Sequence, residues 1–257
     1  MSRKEIKGLF LWPILLLALS VVLNLSLGSV YIPTDYIFTA FFTETNINET
    51  WHYILTDYRL PKAITAILVG GGLSVSGLLM QTLFRNPLAG PFVLGISSGA
   101  SLGVAFLVLG SGLFTGLGVS ALSGPWAMVI ASASGSFLVL LAVISAASKI
   151  KDAMALLIIG LMFGSLTGAI VSVLSYFSRA EALQQFVFWS FGGLGHLSWT
   201  GVIILFISVI IGLVVAVASL KSMNALLLGP QYAQSLGVSI KKSTFLMVLA
   251  TSVLAGS

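Results

Sequence analysis

The chain has 257 residues, of which 58% are hydrophobic and 7% charged, with a mean hydropathy of +1.10. Soluble domains carry roughly a quarter charged residues, so this composition cannot cover a water-facing surface; it excludes a cytosolic enzyme, a nucleic-acid binder and a disordered tail. The net charge of +5 reads as Lys and Arg held in cytoplasmic loops, and the absence of Cys excludes disulfides, thiolate metal sites and thiol chemistry.

Charge-free stretches mark the spans in chain order. They are Gly8–Thr34 (27 residues), Ala63–Phe84 (22), Asn86–Ser148 (63), Ala153–Ser178 (26), Ala182–Leu220 (39) and Ser243–Ser257 (15). A helix crosses the hydrocarbon core with about 20 apolar residues, so the longest stretch holds two spans joined by the Gly- and Ser-rich Gly110–Pro125. The expected spans are Leu9–Leu27, Ala63–Leu83, Val93–Phe114, Trp126–Ser148, Ala153–Phe177 and Gly201–Leu220, with a seventh opening at Thr244.

With the N-terminus inside, Arg3, Lys4, Lys7, Arg85, Lys149, Lys151, Lys221, Lys241 and Lys242 fall in the cytoplasm. Only Arg59, Lys62 and Arg179 fall outside, which is the asymmetry the positive-inside rule requires. The first span resembles a signal-peptide core but lacks a small-residue cleavage site, so a retained anchor is expected. Outside, Val30–Tyr58 mixes aromatics (Tyr31, Tyr36, Phe38, Phe41, Phe42, Trp51 and Tyr53) with Asp35, Glu44, Glu49 and Asp57, and reads as an amphipathic segment on the membrane surface. Inside, Lys221–Lys242 is too polar to span, and Gly229-Pro230 divides it into two short helices.

The third and fifth spans each carry a glycine ladder with a spacing of four: Gly95, Gly99 and Gly103 in one, Gly160, Gly164 and Gly168 in the other. Each trio shares a helical face, where it serves close helix packing or borders a conduit; the sequence leaves both open. Gly95-Ile96-Ser97-Ser98-Gly99 and Gly99-Ala100-Ser101-Leu102-Gly103 both match the G-x-S-x-G nucleophile pattern. A serine protease needs a base at that depth, however, and His52 and His196 both fall in outer loops, so the matches reflect Gly/Ser composition. An ion-coupled carrier would place ionisable groups within the spans, and none of the expected spans holds one, although backbone carbonyls could still bind Na⁺. Nor is there a G-x-x-x-x-G-K-[ST] loop to hold nucleotide. Energy for active transport must then arrive through another subunit, which points to the 221–242 segment for docking.

Several ordered motifs share one origin. Arg59-Leu60-Pro61-Lys62 opens a Gly-rich span. Gly77 through Gln81, Arg85, Asn86-Pro87-Leu88-Ala89 and Pro91 follows the pattern S-G-x-x-x-Q-x-x-x-x-N-P-L-A-x-P, and Gly95-Ile96-Ser97-Ser98-Gly99-Ala100 continues it. Leu228-Gly229 through Ala233 to Ser235-Leu236-Gly237-Val238 follows L-G-x-x-x-A-x-S-L-G-V. Across residues 59–238 these resemble FecCD-type permeases, the membrane subunits of ABC importers for iron–siderophore complexes, haem and vitamin B12.

The resemblance implies an all-α polytopic transmembrane bundle of the type II ABC importer kind. The full family has about ten spans, of which six to seven are present here, so residues 1–257 read as a single permease domain incomplete at its C-terminus. It implies a bacterial or archaeal cytoplasmic membrane and a second permease copy or paralogue. It also implies separate ATP-binding subunits, a periplasmic or lipid-anchored substrate-binding protein, membrane lipid around the spans, and no nucleic acid. Arg59 and Lys62 take the family's binding-protein docking role, with Lys62 replacing an Arg and losing its bidentate fork. Leu228, Gly229, Ala233, Leu236 and Gly237 take the ATPase-coupling role. Gly160, Gly164 and Gly168 fall along the pathway by analogy, while Asn86 and Pro87 shape an inner turn and Ser148 and Lys149 lie near a cytoplasmic gate. A ferric siderophore is the expected cargo, with vitamin B12 or haem as alternatives. No cofactor, no metal ligand and no enzymatic activity of the subunit itself are expected.

Overall fold

The computed structural model describes residues 3–42, 48–92, 95–110, 124–147, 153–195 and 197–256. In chain order the helices are α1 (Arg3–Ser26), α2 (Thr34–Phe42), α3 (Glu49–Tyr53), a π-helical turn (Ile54–Arg59), α4 (Leu60–Phe84) and α5 (Ile96–Val108). They continue with α6 (Pro125–Ala147), α7 (Ala153–Phe177), α8 (Ala180–Phe191), α9 (Trp199–Leu227), α10 (Pro230–Ser235) and α11 (Ile240–Gly256). Among the described residues, four continuous helical runs are long and apolar enough to cross a membrane: Glu49–Phe84, Pro125–Ala146, Ile158–Phe177 and Trp199–Leu227. The protein is an all-α polytopic assembly, as its composition requires.

Several elements differ from the expected ones, each for a local reason. The second span does not begin near Ala63: α3, the π-turn and α4 form one continuous helix of 36 residues. Within the expected third span, Val93–Phe114, residues 93–94 and 111–114 lie outside the described residues, and the described ones hold a helix of 13 residues, about 20 Å long at 1.5 Å per residue. It starts from Gly95, whose φ of 83° lies in the left-handed region and cannot extend the helix backwards. The first half of the 221–242 segment is not a separate helix but the end of α9, which runs unbroken to Leu227. Finally, α8 lies within a stretch expected to hold one span, and Gly192, with φ 64°, ends it.

The chain divides into two compact units. The first comprises Met1–Ile67 and Gly193–Val202. Its core is Leu25, Ile32, Ile37, Leu55 and Ala63, packed against Val21, Tyr36, Trp51 and Leu60. Of the aromatics in the 30–58 segment, Tyr36 and Trp51 pack against this core, whereas Tyr31, Phe38, Tyr53 and Tyr58 stay more than half exposed. Tyr36 meets Trp51 edge to face, with ring centroids 5.1 Å apart, and its hydroxyl donates to Asn48 O at 3.1 Å. Asn48 caps α3 by accepting from Trp51 N at 3.2 Å, satisfying one of the first-turn donors a helix leaves free.

The second unit comprises Leu68–Gly192 and Ile203–Ser257. Here α5 and α6 cross at glycine: a methyl group on Gly99 would lie 2.7 Å from Gly135 O and 2.9 Å from Ser136 Cα. Ser136 Oγ donates to Ile96 O at 2.9 Å across that crossing, the kind of polar contact that joins helices in lipid. Phe186 of α8 packs on Val104, Ala105 and Val108 of α5, which explains why Leu183, Phe186 and Trp189 recur at helical spacing. At the same serine, α11 approaches α6 so closely that a methyl on Gly256 would meet Ser136 Oγ at 2.6 Å.

Candidate functional site

The expected docking residues sit where the π-turn meets α4. Pro61 has no N–H to donate to the carbonyl of Asp57, and its ring crowds that carbonyl, so the helix opens into i→i+5 bonding just before it. The bond from Leu60 N to Leu55 O belongs to this pattern. A π-turn carries an extra residue, and side chains beside it leave the direction a plain α-helix would give them. Arg59 turns inward and is only 8% exposed. Its Nη1 donates to Leu25 O at 2.5 Å and its Nη2 to Val30 O. Leu25 lies in the last turn of α1, so the guanidinium serves carbonyls that the helix itself cannot pair, at the end where a cation is favoured. Gly28 makes room for it: a methyl there would lie 2.7 Å from Arg59 Nη2. Lys62, three residues on, is exposed. One of the two expected docking residues thus faces out and the other is occupied within the unit.

The N-P turn after α4 is built from its own residues. Asn86 Oδ1 accepts from Leu88 N at 2.9 Å and Asn86 O accepts from Ala89 N at 3.1 Å, while Pro87 prevents the helix from continuing. Arg85, at the helix end, has φ 49°, the one non-glycine among the described residues with a left-handed backbone.

The two glycine ladders differ in surroundings. Gly99 and Gly103 are filled by α6, where a methyl on Gly103 would meet Ala131 C at 2.8 Å. Gly95 lies between α6 and α7, where a methyl would be 3.2 Å from Val139 Cγ1 and 3.7 Å from Gly160 O; a methyl on Gly164 of α7 would lie 3.6 Å from Ser98 Oγ. Gly168, further along α7, has no atom within 4 Å of its missing Cβ. Ser98, which neighbours the pattern serine Ser97, donates to Gly95 O at 2.9 Å.

In the 228–237 segment the glycines are set by backbone geometry. Gly229 has φ 117° and Gly237 φ 79°. Gly237 N donates to Gln234 O at 2.9 Å and Val238 N to Ala233 O at 3.0 Å, the paired bonds of a Schellman ending to α10. Ala233 is fully buried, whereas Leu228, Tyr232 and Leu236 are at least half exposed. The segment is therefore a short helix pinned through its small residue, with an apolar outer face. Ser148 and Lys149 lie outside the described residues. Sequence reasoning missed Gly28, Gly135 and Ser136; the small-residue run Ala131-Ser132-Ala133-Ser134-Gly135-Ser136 was the available signal for the latter two.

The long apolar helices, with the short pinned helix α10 just after α9, make a multi-span membrane scaffold. The pattern that describes the FecCD transport family matches residues 16–257, and the chain belongs to that family. It is 32% identical over 214 residues to the haemin transport system permease HmuU of Yersinia pestis, covering 83% of this chain and 63% of that protein. It is 33% identical over 248 residues to the vitamin B12 import system permease BtuC of Vibrio parahaemolyticus, covering 95% and 71%. The chain thus spans about two thirds of the length of such relatives. A solved ABC transporter of the metal-chelate type, in an inward-facing conformation, superposes with a TM-score of 0.72 at 25% identity, covering 99% of this chain and 74% of that one.

Proposed function

We propose that the chain is the permease subunit of a binding-protein-dependent ABC importer that carries a metal chelate intact across the cytoplasmic membrane. The family match over residues 16–257 carries this reading. Support comes from the spans: Pro125–Ala146 and Ile158–Phe177 contain no Asp, Glu, Lys, Arg or His to relay a coupling ion. Separate ATP-binding subunits press on the 221–242 segment of a single permease domain, an extracellular binding protein docks beside Lys62, and a second permease completes the pathway. The N-terminus faces the cytoplasm. For the cargo, vitamin B12 or haem ranks above the ferric siderophore expected from the motifs alone. Vitamin B12 permeases recur among the relatives, beside the haemin permease.

The test is uptake by the full-length complex in proteoliposomes, supplied in turn with labelled cobalamin, haem and a ferric siderophore. Transport should require ATP and persist when ionophores collapse the sodium and proton gradients. Gradient-driven uptake without ATP would overturn the reading, and uptake of the siderophore alone would reverse the cargo ranking.

A further inference from the structure

We propose that Arg59 is a latch, berthed on the carbonyls of Leu25 and Val30 until a carboxylate of the docking protein draws it out. The inference rests on the docking reading above and gives that site a mechanism. Three observations carry it. First, the acceptors that hold Arg59 are neutral backbone oxygens, one at the end of α1 and one in the connection that follows. A carboxylate offers the same fork two oxygens and a full opposite charge, so it competes with the berth on better terms. Second, the berth is roofed by Gly28, and a methyl there would strike the guanidinium at 2.7 Å. The struck atom is the far end of a flexible side chain, and Gly28 is not among the residues with a left-handed backbone, so the guanidinium can be expelled with little change elsewhere. Third, Lys62 is exposed one turn further along the same helix, free to make the first electrostatic contact.

Docking then has two stages. Lys62 attracts the acidic surface, and Arg59 leaves its berth to join it. When it leaves, the last turn of α1 and residues 27–33 lose their clasp, so occupancy of the outer surface is reported to α1. A residue that spends most of its time berthed weakens apparent affinity by the fraction available, and removing that restraint should tighten binding.

The experiment titrates the full-length permease complex in nanodiscs with the transporter's own substrate-binding protein, at low and physiological salt, and follows backbone hydrogen exchange of residues 26–33. Gly28→Ala should bind about three- to tenfold tighter and exchange faster in the free state. Arg59→Gln should also exchange faster but bind weaker, and Lys62→Glu should bind weaker with unchanged exchange. In the unmodified protein, docking should accelerate exchange of 26–33. Unchanged or weaker binding by a folded Gly28→Ala overturns the latch and leaves Arg59 a plain tether. So does slower or unchanged exchange on docking, which needs no variant to fold. If neither Arg59→Gln nor Lys62→Glu alters affinity, the docking reading itself fails, and the latch with it.

Discussion

Arg85 and Gly237 close their helices with the same hydrogen-bond geometry. At α4, Arg85 N donates to Thr82 O at 3.3 Å and Asn86 N to Gln81 O at 3.1 Å; at α10 the equivalent donors are Gly237 N and Val238 N. Both closing residues have left-handed backbones, at φ 49° and 79°. An L side chain in that conformation costs about 1 kcal/mol, so the two positions should respond to substitution with opposite signs. Arg85→Gly should stabilise the protein by about 0.5–1 kcal/mol in thermal unfolding, part of the gain being offset by the freer unfolded chain. Gly237→Ala should cost about 1 kcal/mol, and because it distorts the end of the proposed coupling helix, uptake should fall while ATP hydrolysis continues. Uptake at the unmodified level would separate Gly237 from coupling. The strain at Arg85 is a feature that residue type alone conceals, since nothing in the letters Phe-Arg-Asn-Pro marks the arginine as left-handed.

At the level of helices, the two glycine ladders make opposite predictions although their sequences look alike. Gly99 is enclosed by Gly135 and Ser136 of α6, so Gly99→Leu must force α5 and α6 apart, at about 1–3 kcal/mol. It should lower the melting temperature and abolish uptake together. Gly168 faces open space on α7, so Gly168→Leu should leave the melting temperature unchanged. If α7 borders the pathway, that same variant should block cargo; normal uptake would place α7 elsewhere. Spacing alone could not tell these faces apart, because a ladder of four specifies a face and not what covers it. The helices themselves were mostly legible from their lack of charge. The exceptions follow from backbone chemistry: Pro61 opens the π-turn that joins α3 to α4, Gly95 starts α5 late, and Gly192 detaches α8.

Across the molecule, the absence of charge over long stretches was enough to read a polytopic membrane protein, and ordered motifs were enough to read the family. Side-chain direction was not readable, because it depends on register. Arg59 lies in a clearly ordered motif, Arg59-Leu60-Pro61-Lys62, yet its burial depends on one extra residue in a helical turn and on a glycine 31 positions earlier. The same limit applies to α1. Every side chain from Leu11 to Ser20 is exposed, and among the described residues α1 is held near its C-terminal end, by Val21, Leu25, Ser26 and the berth of Arg59. Its backbone needs no neighbour to satisfy its amides in lipid, so no described residue of this chain constrains the shape of those ten side chains. Shuffling leucine, isoleucine and valine there should be thermally silent, whereas Leu25→Ala should cost about 2–5 kcal/mol. The middle of α1 is thus tuned to its solvent, and evolution is free to rewrite its spelling so long as the oil content stays.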